Sequence, residues 1–377
     1  MNEFPVKEIS PSSYFSKPVY LDKEFILTVP QLPFSADLEK TLSKWGFNLV
    51  YSDGEPKDHY ISDSIHTDTG SASGSHGTIG DQDKIQQAEQ FYESFQKNVE
   101  TLFTLAEKKG ALNYTQAAES IKTACDFVRE NHRYLMRVEH KAEPENSKDY
   151  LVVHSARSTV FTIIIGLAMK MPNHKLIELG VAALFHEIGM IKLPPQLYQG
   201  ARPLTDQEKK LLSTHTILGC NLLKSMNFPL MICNAVLEHH ERENGTGYPQ
   251  KIKGNQISLY AKIIAVACSY EAILSKRPHK EAKDGYTGML ELLRNEGKQY
   301  DETVIRALVN SLSIYPIGLY VLLSSGKKGQ VIDVVPENPR YPIVQIFGEV
   351  MPDGNNKVMR TSQDELYIVR PLAREEI

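Results

Sequence analysis

The sequence predicts a mainly α-helical protein with a small N-terminal α/β unit and a short C-terminal β appendage. Apolar residues recur at three- and four-residue steps through most of residues 81–312, which is the period of an amphipathic helix. Short runs rich in valine, isoleucine and phenylalanine occur near the two chain ends, bounded by turn residues. With 41% hydrophobic and 23% charged residues, the 377 residues suffice for two or three ordinary globular domains.

Residues 1–60 are predicted to form the N-terminal α/β unit, whose role the sequence leaves unknown. Residues 23–29 and 47–51 favour strands, and residues 37–45 between them favour a short helix. Residues 61–84 are rich in Gly, Ser and Thr and contain few large apolar side chains. They are therefore predicted to be a flexible linker.

Residues 85–140 are predicted to be connecting helices, because Phe91, Phe95 and Val99 follow a helical period. These helices could link the N-terminal unit to the rest, form a dimer seam, or simply pack on the next domain. A homodimer or a signalling-protein partner is expected to use the N-terminal region and these helices.

Residues 145–330 are predicted to form the main helical domain. Thr205 and Glu208 match a capping box, and Pro229 suits the first turn of a helix. Strand signals at 331–335 and 343–347 then predict a β hairpin and tail over 331–377. The helices of the main domain are predicted near 149–171, 174–189, 205–226, 229–243, 257–275, 284–296 and 301–312.

Charge and cysteine content restrict the possible partners and the compartment. The net charge of −4 argues against DNA binding but leaves room for a small anionic ligand. The four cysteines show no CxxC pair, the N-terminus has no apolar signal core, and residues 160–171 are too short to span a membrane. We therefore expect a cytoplasmic protein with reduced thiols and no membrane partner.

Histidines on or at the ends of predicted helices indicate a metal site. Imidazole and carboxylate side chains together suit Zn, Fe or Mn. Each histidine alone is more often structural, but an adjacent pair at the end of an apolar helix is hard to explain by packing. The candidate metal-site residues are His154, His186, Glu187, His215, His239 and His240.

The segment HHERENGTGYP at 239–249, with the upstream histidines, resembles the HD-GYP family of cyclic di-GMP phosphodiesterases. The similarity extends from about Leu151 to Gly329. It implies a helical HD-type bundle that holds two divalent metal ions, or three in some members, and one or two ions are expected for this sequence. One ion would be bound by His154, His186, Glu187 and Cys268, and the other by Glu187 as a bridge with His215, His239 and His240.

The same resemblance implies how the nucleotide is bound and which groups act in catalysis. Gly247, Tyr248 and Pro249 form the family's signature loop, and Arg277 and Lys280 stand where family members bind the ligand's phosphates. The implied catalytic residues are Glu187 and Lys192.

The sequence departs from the family pattern at four positions. Glu187 replaces the bridging aspartate of the HD pair, and Met190 replaces a lysine. Cys268 replaces a metal-binding aspartate, and it is either a thiolate ligand or a small buried apolar residue. Tyr150 stands where three-metal members have a glutamate, so a third metal is not expected.

The leading hypothesis is a metal-dependent phosphodiesterase of bacterial second-messenger signalling that hydrolyses cyclic di-GMP to linear pGpG, GMP or both. The alternative is a catalytically degenerate member that binds cyclic di-GMP or a partner protein without turnover. A third reading is a phosphohydrolase for another nucleotide, because one fold serves several substrates.

Overall fold

The chain forms two compact units, one of residues Met1–Gly77 with Leu319–Ile377 and one of residues Thr78–Gly318. The mainly helical fold, with N-terminal and C-terminal strands, is confirmed. The computed structural model describes residues 1–10, 13–21, 26–28, 34–44, 47–57, 79–109, 112–138, 147–199, 202–275, 283–335, 338, 341–351, 356–362, 365–373 and 376–377.

The N-terminal part of the first unit contains one short helix, α1 (Ala36–Lys44), and six short strands. Four strands form an antiparallel sheet in the order β1-β5-β3-β4, and β2 pairs with β6. Phe15, Phe34 and Leu42 are buried in the core. The strands are β1 (Asn2–Pro5), β2 (Tyr14–Phe15), β3 (Val19–Tyr20), β4 (Ile26–Thr28), β5 (Leu49–Ser52) and β6 (Pro56–Lys57).

The C-terminal part of the first unit is a five-stranded antiparallel sheet in the order β10-β9-β8-β7-β11. It begins at Tyr320, before the predicted hairpin at 331–377, because the short segment 320–323 pairs both with residues 328–330 and with the distant residues 368–371. Its strands are β7 (Tyr320–Leu323), β8 (Lys328–Asp333), β9 (Ile343–Val350), β10 (Asn356–Arg360) and β11 (Ile368–Pro371).

The second unit is helical and contains short 3₁₀ helices at Ile188–Lys192 and Gly254–Gln256. Helix α2 begins at Ile79, so residues 79–84, which were predicted to belong to the linker, are helical. The α-helices are α2 (Ile79–Lys109), α3 (Tyr114–Leu135), α4 (Ser147–Ala168), α5 (Asn173–Leu184), α6 (Gln196–Gln199), α7 (Asp206–Ser213), α8 (His215–Ser225), α9 (Leu230–Glu238), α10 (Leu259–Leu274), α11 (Gly285–Leu293) and α12 (Glu302–Leu312).

Helix α4 lies at the centre of this unit and packs against α2, α3, α5, α10 and α12. Within the described chain, its segment Tyr150–Ala168 is long and apolar enough to span a membrane, with a hydropathy of 1.6. However, most of this segment is buried inside the protein, which is typical of a core helix.

Three predicted helices are wrong in their bounds, and each error lies beside a candidate metal ligand. The predicted helix 205–226 is two helices, α7 and α8, separated at Thr214. The predicted helices 174–189 and 229–243 end at Leu184 and Glu238. The apolar period continues across these breaks, so it could not reveal them.

Candidate metal centre

The breaks between helices bring one carboxylate and three imidazoles together. Glu187 precedes the 3₁₀ helix, His215 opens α8, and His239 and His240 follow α9. One ligand atom from each of these residues lies within 4.8 Å of those of the other three. This group of four is the second-metal set that the resemblance to the HD-GYP family implied.

A second group contains His154 on α4, His186 just beyond α5, and again Glu187. The Oε1 atom of Glu187 lies 3.9 Å from Nε2 of His154 and 3.9 Å from Nε2 of His186. Its Oε2 atom lies 3.4 Å from Nε2 of His215 in the first group. The two oxygens of Glu187 therefore face different groups.

The helix ends also fix which nitrogen of each ring faces the centre. Nδ1 of His186 lies 2.7 Å from the Ala183 carbonyl, and Nδ1 of His239 lies 2.7 Å from the Val236 carbonyl. His215 makes the same contact, with the carbonyl three residues before it, at 2.8 Å. Because a carbonyl only accepts hydrogen bonds, each Nδ1 must donate, and each neutral ring then presents a lone pair at Nε2.

This arrangement fits a divalent metal ion. Nε2 of His186 lies 3.3 Å from Nε2 of His154, and Nε2 of His215 lies 3.4 Å from Nε2 of His239. Lone pairs that face each other at this distance repel unless a cation lies among them. Two ligands bound at about 2.1 Å to one ion are themselves about 3.0–3.5 Å apart, which is close to these separations. Oε2 of Glu187 is also buried and accepts no hydrogen bond from a described residue.

Burial sets the charge states of these groups. It lowers the pKa of His186 from 6.5 to about 4, and it lowers the pKa values of His239 and His240 as well. Burial alone would raise the pKa of Glu187, but the surrounding imidazoles, His215 first, bring it down to about 2. At neutral pH His186, His239 and His240 are thus neutral and Glu187 is ionised, which are the forms that bind metal.

These pKa values predict that the metal-free protein loses stability as the pH falls from 7 to 5. An unfolded histidine takes up a proton near pH 6.5, whereas folded His186 stays neutral down to about pH 4. The unfolded state then binds more protons, so the free energy of unfolding falls by up to about 1.4 kcal/mol per pH unit for each such histidine. The stability that Glu187 contributes is lost only at lower pH, between 4.5 and about 2.

Urea unfolding in the presence of a chelator, at pH 7, 6 and 5, measures this effect. A free energy of unfolding that stays constant or increases between pH 7 and pH 5 would contradict it.

Sequence reasoning missed Glu271, a buried carboxylate that is hydrogen-bonded to Nδ1 of His154. Burial alone would raise its pKa, but His154 and Ser275 bring the pKa down to about 2. Its position one helical turn after Cys268 on α10 was the available signal, because it shares a helix face with a candidate ligand.

The loop after His240 is held against the histidine pair. The ring of Tyr248 stacks on that of His240, with centroids 4.7 Å apart and planes at 23°. A Cβ atom added at Gly247 would lie 2.4 Å from the Glu241 Cα and 2.4 Å from the His240 carbonyl oxygen, so only glycine allows this approach. The carboxylate of Glu241 accepts hydrogen bonds from the backbone of the chain just beyond Pro249.

Other predicted site residues lie outside the two groups. Cys268 is buried, its thiol donates to the Ala265 carbonyl at 3.5 Å, and it belongs to neither of the groups found among the described residues. Lys192 is exposed at the end of the 3₁₀ helix. Arg277 and Lys280 fall outside the described parts of the chain.

Two of the departures from the family pattern have a visible structural consequence. The ring of Tyr150 lies parallel to that of His154, with centroids 5.7 Å apart and planes at 6°, and so occupies the space beside it. Met190 is buried with 7% of its surface exposed, where the family pattern has a lysine.

Residues 145–304 match the family model described as an HD domain. A cyclic di-GMP phosphodiesterase of Borreliella burgdorferi is 28% identical over 201 residues, which are 53% of this chain and 53% of that protein. A cyclic di-GMP phosphodiesterase of Pseudomonas aeruginosa is 32% identical over 204 residues, 54% of this chain and 49% of that protein.

Among solved structures, an HDG"Y"P protein from Bdellovibrio bacteriovorus aligns with a TM-score of 0.48 at 15% identity. The alignment covers 81% of this chain and 97% of that one. The chain spans about half the length of the curated relatives it matches.

Proposed function

Residues 145–304 match the HD domain family model, and from this premise we propose that the protein is a metal-dependent phosphodiesterase of the HD-GYP family, with Glu187 in place of the family aspartate, that hydrolyses cyclic di-GMP. The products would be linear pGpG, GMP or both, within bacterial second-messenger signalling. The observation that carries the proposal is Glu187, whose two carboxylate oxygens face two different groups of histidine nitrogens.

The two groups would hold one or two ions of Fe, Mn or Zn. Such ions supply polarisation of the phosphodiester oxygens and a water molecule that loses its proton near neutral pH. The chain contributes orientation, because the carbonyls of Ala183, Leu212 and Val236 keep three rings in one tautomer. It also contributes a buried negative charge at Glu187.

The signature loop would position the nucleotide beside these groups. Gly247 lets the loop lie directly on the backbone of the histidine pair, and Tyr248 presents its ring next to His240. Arg277 and Lys280 would bind the phosphates, for which guanidinium and ammonium groups are suited. Lys192 is exposed and would act only through a contact that forms when the substrate binds.

A second candidate function is binding of cyclic di-GMP, or of a partner protein, without turnover. Two observations favour it. Cys268 lies outside the group formed by His154, His186 and Glu187, and this group therefore offers three ligands. Met190 is buried and supplies no charge. One well-bound metal ion would then be expected, with weak or absent catalysis.

We also propose a cytoplasmic location and a homodimer or signalling partner that uses the N-terminal region and the helices within 85–140. The burial of the apolar segment of α4 supports a protein that is not anchored by that helix.

The test is turnover of cyclic di-GMP by the full chain after metal removal and reconstitution with Mn²⁺ or Fe²⁺. The products are separated by chromatography, and metal-free protein is the control. We expect pGpG or GMP only in the reconstituted samples. Tight binding of cyclic di-GMP with no product under either metal would reject the enzyme and favour the binding protein.

A further inference from the structure

His154 differs from His186, His215 and His239 in the partner of its Nδ1 atom. Those three rings donate to neutral backbone carbonyls, whereas Nδ1 of His154 is hydrogen-bonded to a carboxylate oxygen of Glu271. The two side chains come from helices α4 and α10, which pack directly on each other. A carboxylate is the stronger acceptor, so His154 is the one imidazole of these four whose orientation depends on a charged group.

Glu271 is itself held in place through its other oxygen. Ser275 donates its hydroxyl to Oε1 of Glu271, and the Oγ atom of Ser275 accepts a hydrogen bond of 2.9 Å from Nη1 of Arg157. The same Nη1 lies 3.7 Å from Oε1 of Glu271. The relative exposures of His154, Arg157, Glu271 and Ser275 are 4%, 8%, 1% and 3%, so all four groups are shielded from water.

This chain of contacts has a definite effect on His154. A carboxylate at Nδ1 requires the proton of a neutral imidazole to be on that nitrogen, so the lone pair is on Nε2. That Nε2 lies 3.3 Å from Nε2 of His186 and 3.9 Å from Oε1 of Glu187. The negative charge behind the ring also makes Nε2 more electron-rich, which strengthens its bond to a cation.

We propose that Glu271 is a positioning residue of the metal centre, which orients His154 and adds negative charge to the group formed by His154, His186 and Glu187. Within that group only Glu187 carries a full negative charge, so Glu271 contributes a second one through the ring of His154. This inference rests on the proposed metal-binding function.

A purely structural role is the competing explanation, because the buried contacts of Arg157 and Glu271 also join α4 to α10. The two roles differ in what they change. A structural role changes the stability of the metal-free protein, whereas a positioning role changes the affinity of the folded protein for metal.

The experiment compares the full chain with Glu271→Gln, which keeps the size and the acceptor oxygen but removes the charge. Glu178→Gln is the matched control, because Glu178 is half-buried and, like Glu271, accepts a side-chain hydrogen bond, which is 2.8 Å long and comes from the hydroxyl of Tyr260. Mn²⁺ is titrated into each metal-free protein by calorimetry, after circular dichroism and thermal unfolding have shown that each is folded. His186→Ala identifies the binding event that belongs to the group containing His154.

His186→Ala removes one Mn²⁺ binding event, and we expect Glu271→Gln to lower the affinity of that event by about 10- to 100-fold. Any other binding event should be unchanged. Glu178→Gln should bind Mn²⁺ as the parent chain does. A folded Glu271→Gln protein with the parent affinity for Mn²⁺ would overturn the inference, whether or not its metal-free melting temperature had fallen. A parent chain that binds no Mn²⁺ would instead overturn the proposed function itself.

Discussion

Replacing His239 with alanine is expected to lower the rate of cyclic di-GMP hydrolysis by about 10³-fold or more. His239 is fully buried, and its Nε2 faces that of His215 at 3.4 Å. Removing this ligand leaves Glu187, His215 and His240 to hold an ion. It also creates a cavity at the position of the imidazole ring. Loss of metal catalysis costs several kcal/mol of transition-state stabilisation, and each 1.36 kcal/mol is tenfold in rate.

His174→Ala is the matched control for this prediction, because His174 is an exposed histidine on α5 and no part of the centre. Initial rates are measured at saturating cyclic di-GMP with Mn²⁺ in excess, and bound metal is measured on the same samples. Hydrolysis by His239→Ala at the parent rate would show that the reaction takes place elsewhere.

Replacing Gly189 with alanine is expected to destabilise the helical unit by about 3 kcal/mol, the upper part of the usual range for overpacking. A Cβ atom at this position would lie 1.9 Å from the carbonyl oxygen of His215 and 2.6 Å from the backbone nitrogen of Gly219. Both contacts are with backbone, so the 3₁₀ helix that follows Glu187 would have to move away from α8. That movement would also separate Glu187 from His215.

For a unit of this size, the expected loss corresponds to a fall of roughly 10 °C in melting temperature, with weaker Mn²⁺ binding. Gly288→Ala is the control, because its added Cβ would meet only side-chain atoms of Tyr270 and Ile273, at 3.2 Å or more. Melting curves that are the same for Gly189→Ala and the parent chain would show that the close packing of the 3₁₀ helix on α8 is not required.

The residues that the histidine pattern singled out lie close together in the structure, because residue type and position are written in the sequence itself. The positions of His154, His186, Glu187, His215 and the adjacent pair could be read directly, and the structure brings all of them into two groups. The capping box at Thr205 is also present as predicted.

The helix breaks that position those ligands could not be predicted from the apolar period. Helix α9 ends at Glu238, and α8 begins anew at His215. At each break an imidazole donates to a carbonyl at the end of a helix or turn. Such a contact depends on three-dimensional placement. The role of Glu271 was hidden for the same reason, because its partner His154 is 117 residues away in sequence.

Cys268 is a candidate ligand that the structure does not place with the others. Its place in the sequence matches a family ligand, yet its thiol contacts the Ala265 carbonyl, and it lies outside both groups of ligands in the described chain. A matching position in a motif does not determine whether a thiol can take the place of a carboxylate ligand.

The central claim is that one carboxylate, that of Glu187, serves two groups of ligands. It is tested by measuring the metal bound to Glu187→Ala, to His186→Ala and to the parent chain. Each protein is stripped, reconstituted with Mn²⁺, freed of excess metal and analysed for manganese per chain. We predict that His186→Ala loses only the metal of its own group, whereas Glu187→Ala loses or weakens all bound metal. A Glu187→Ala protein that retains the parent's manganese content and affinity would contradict the account.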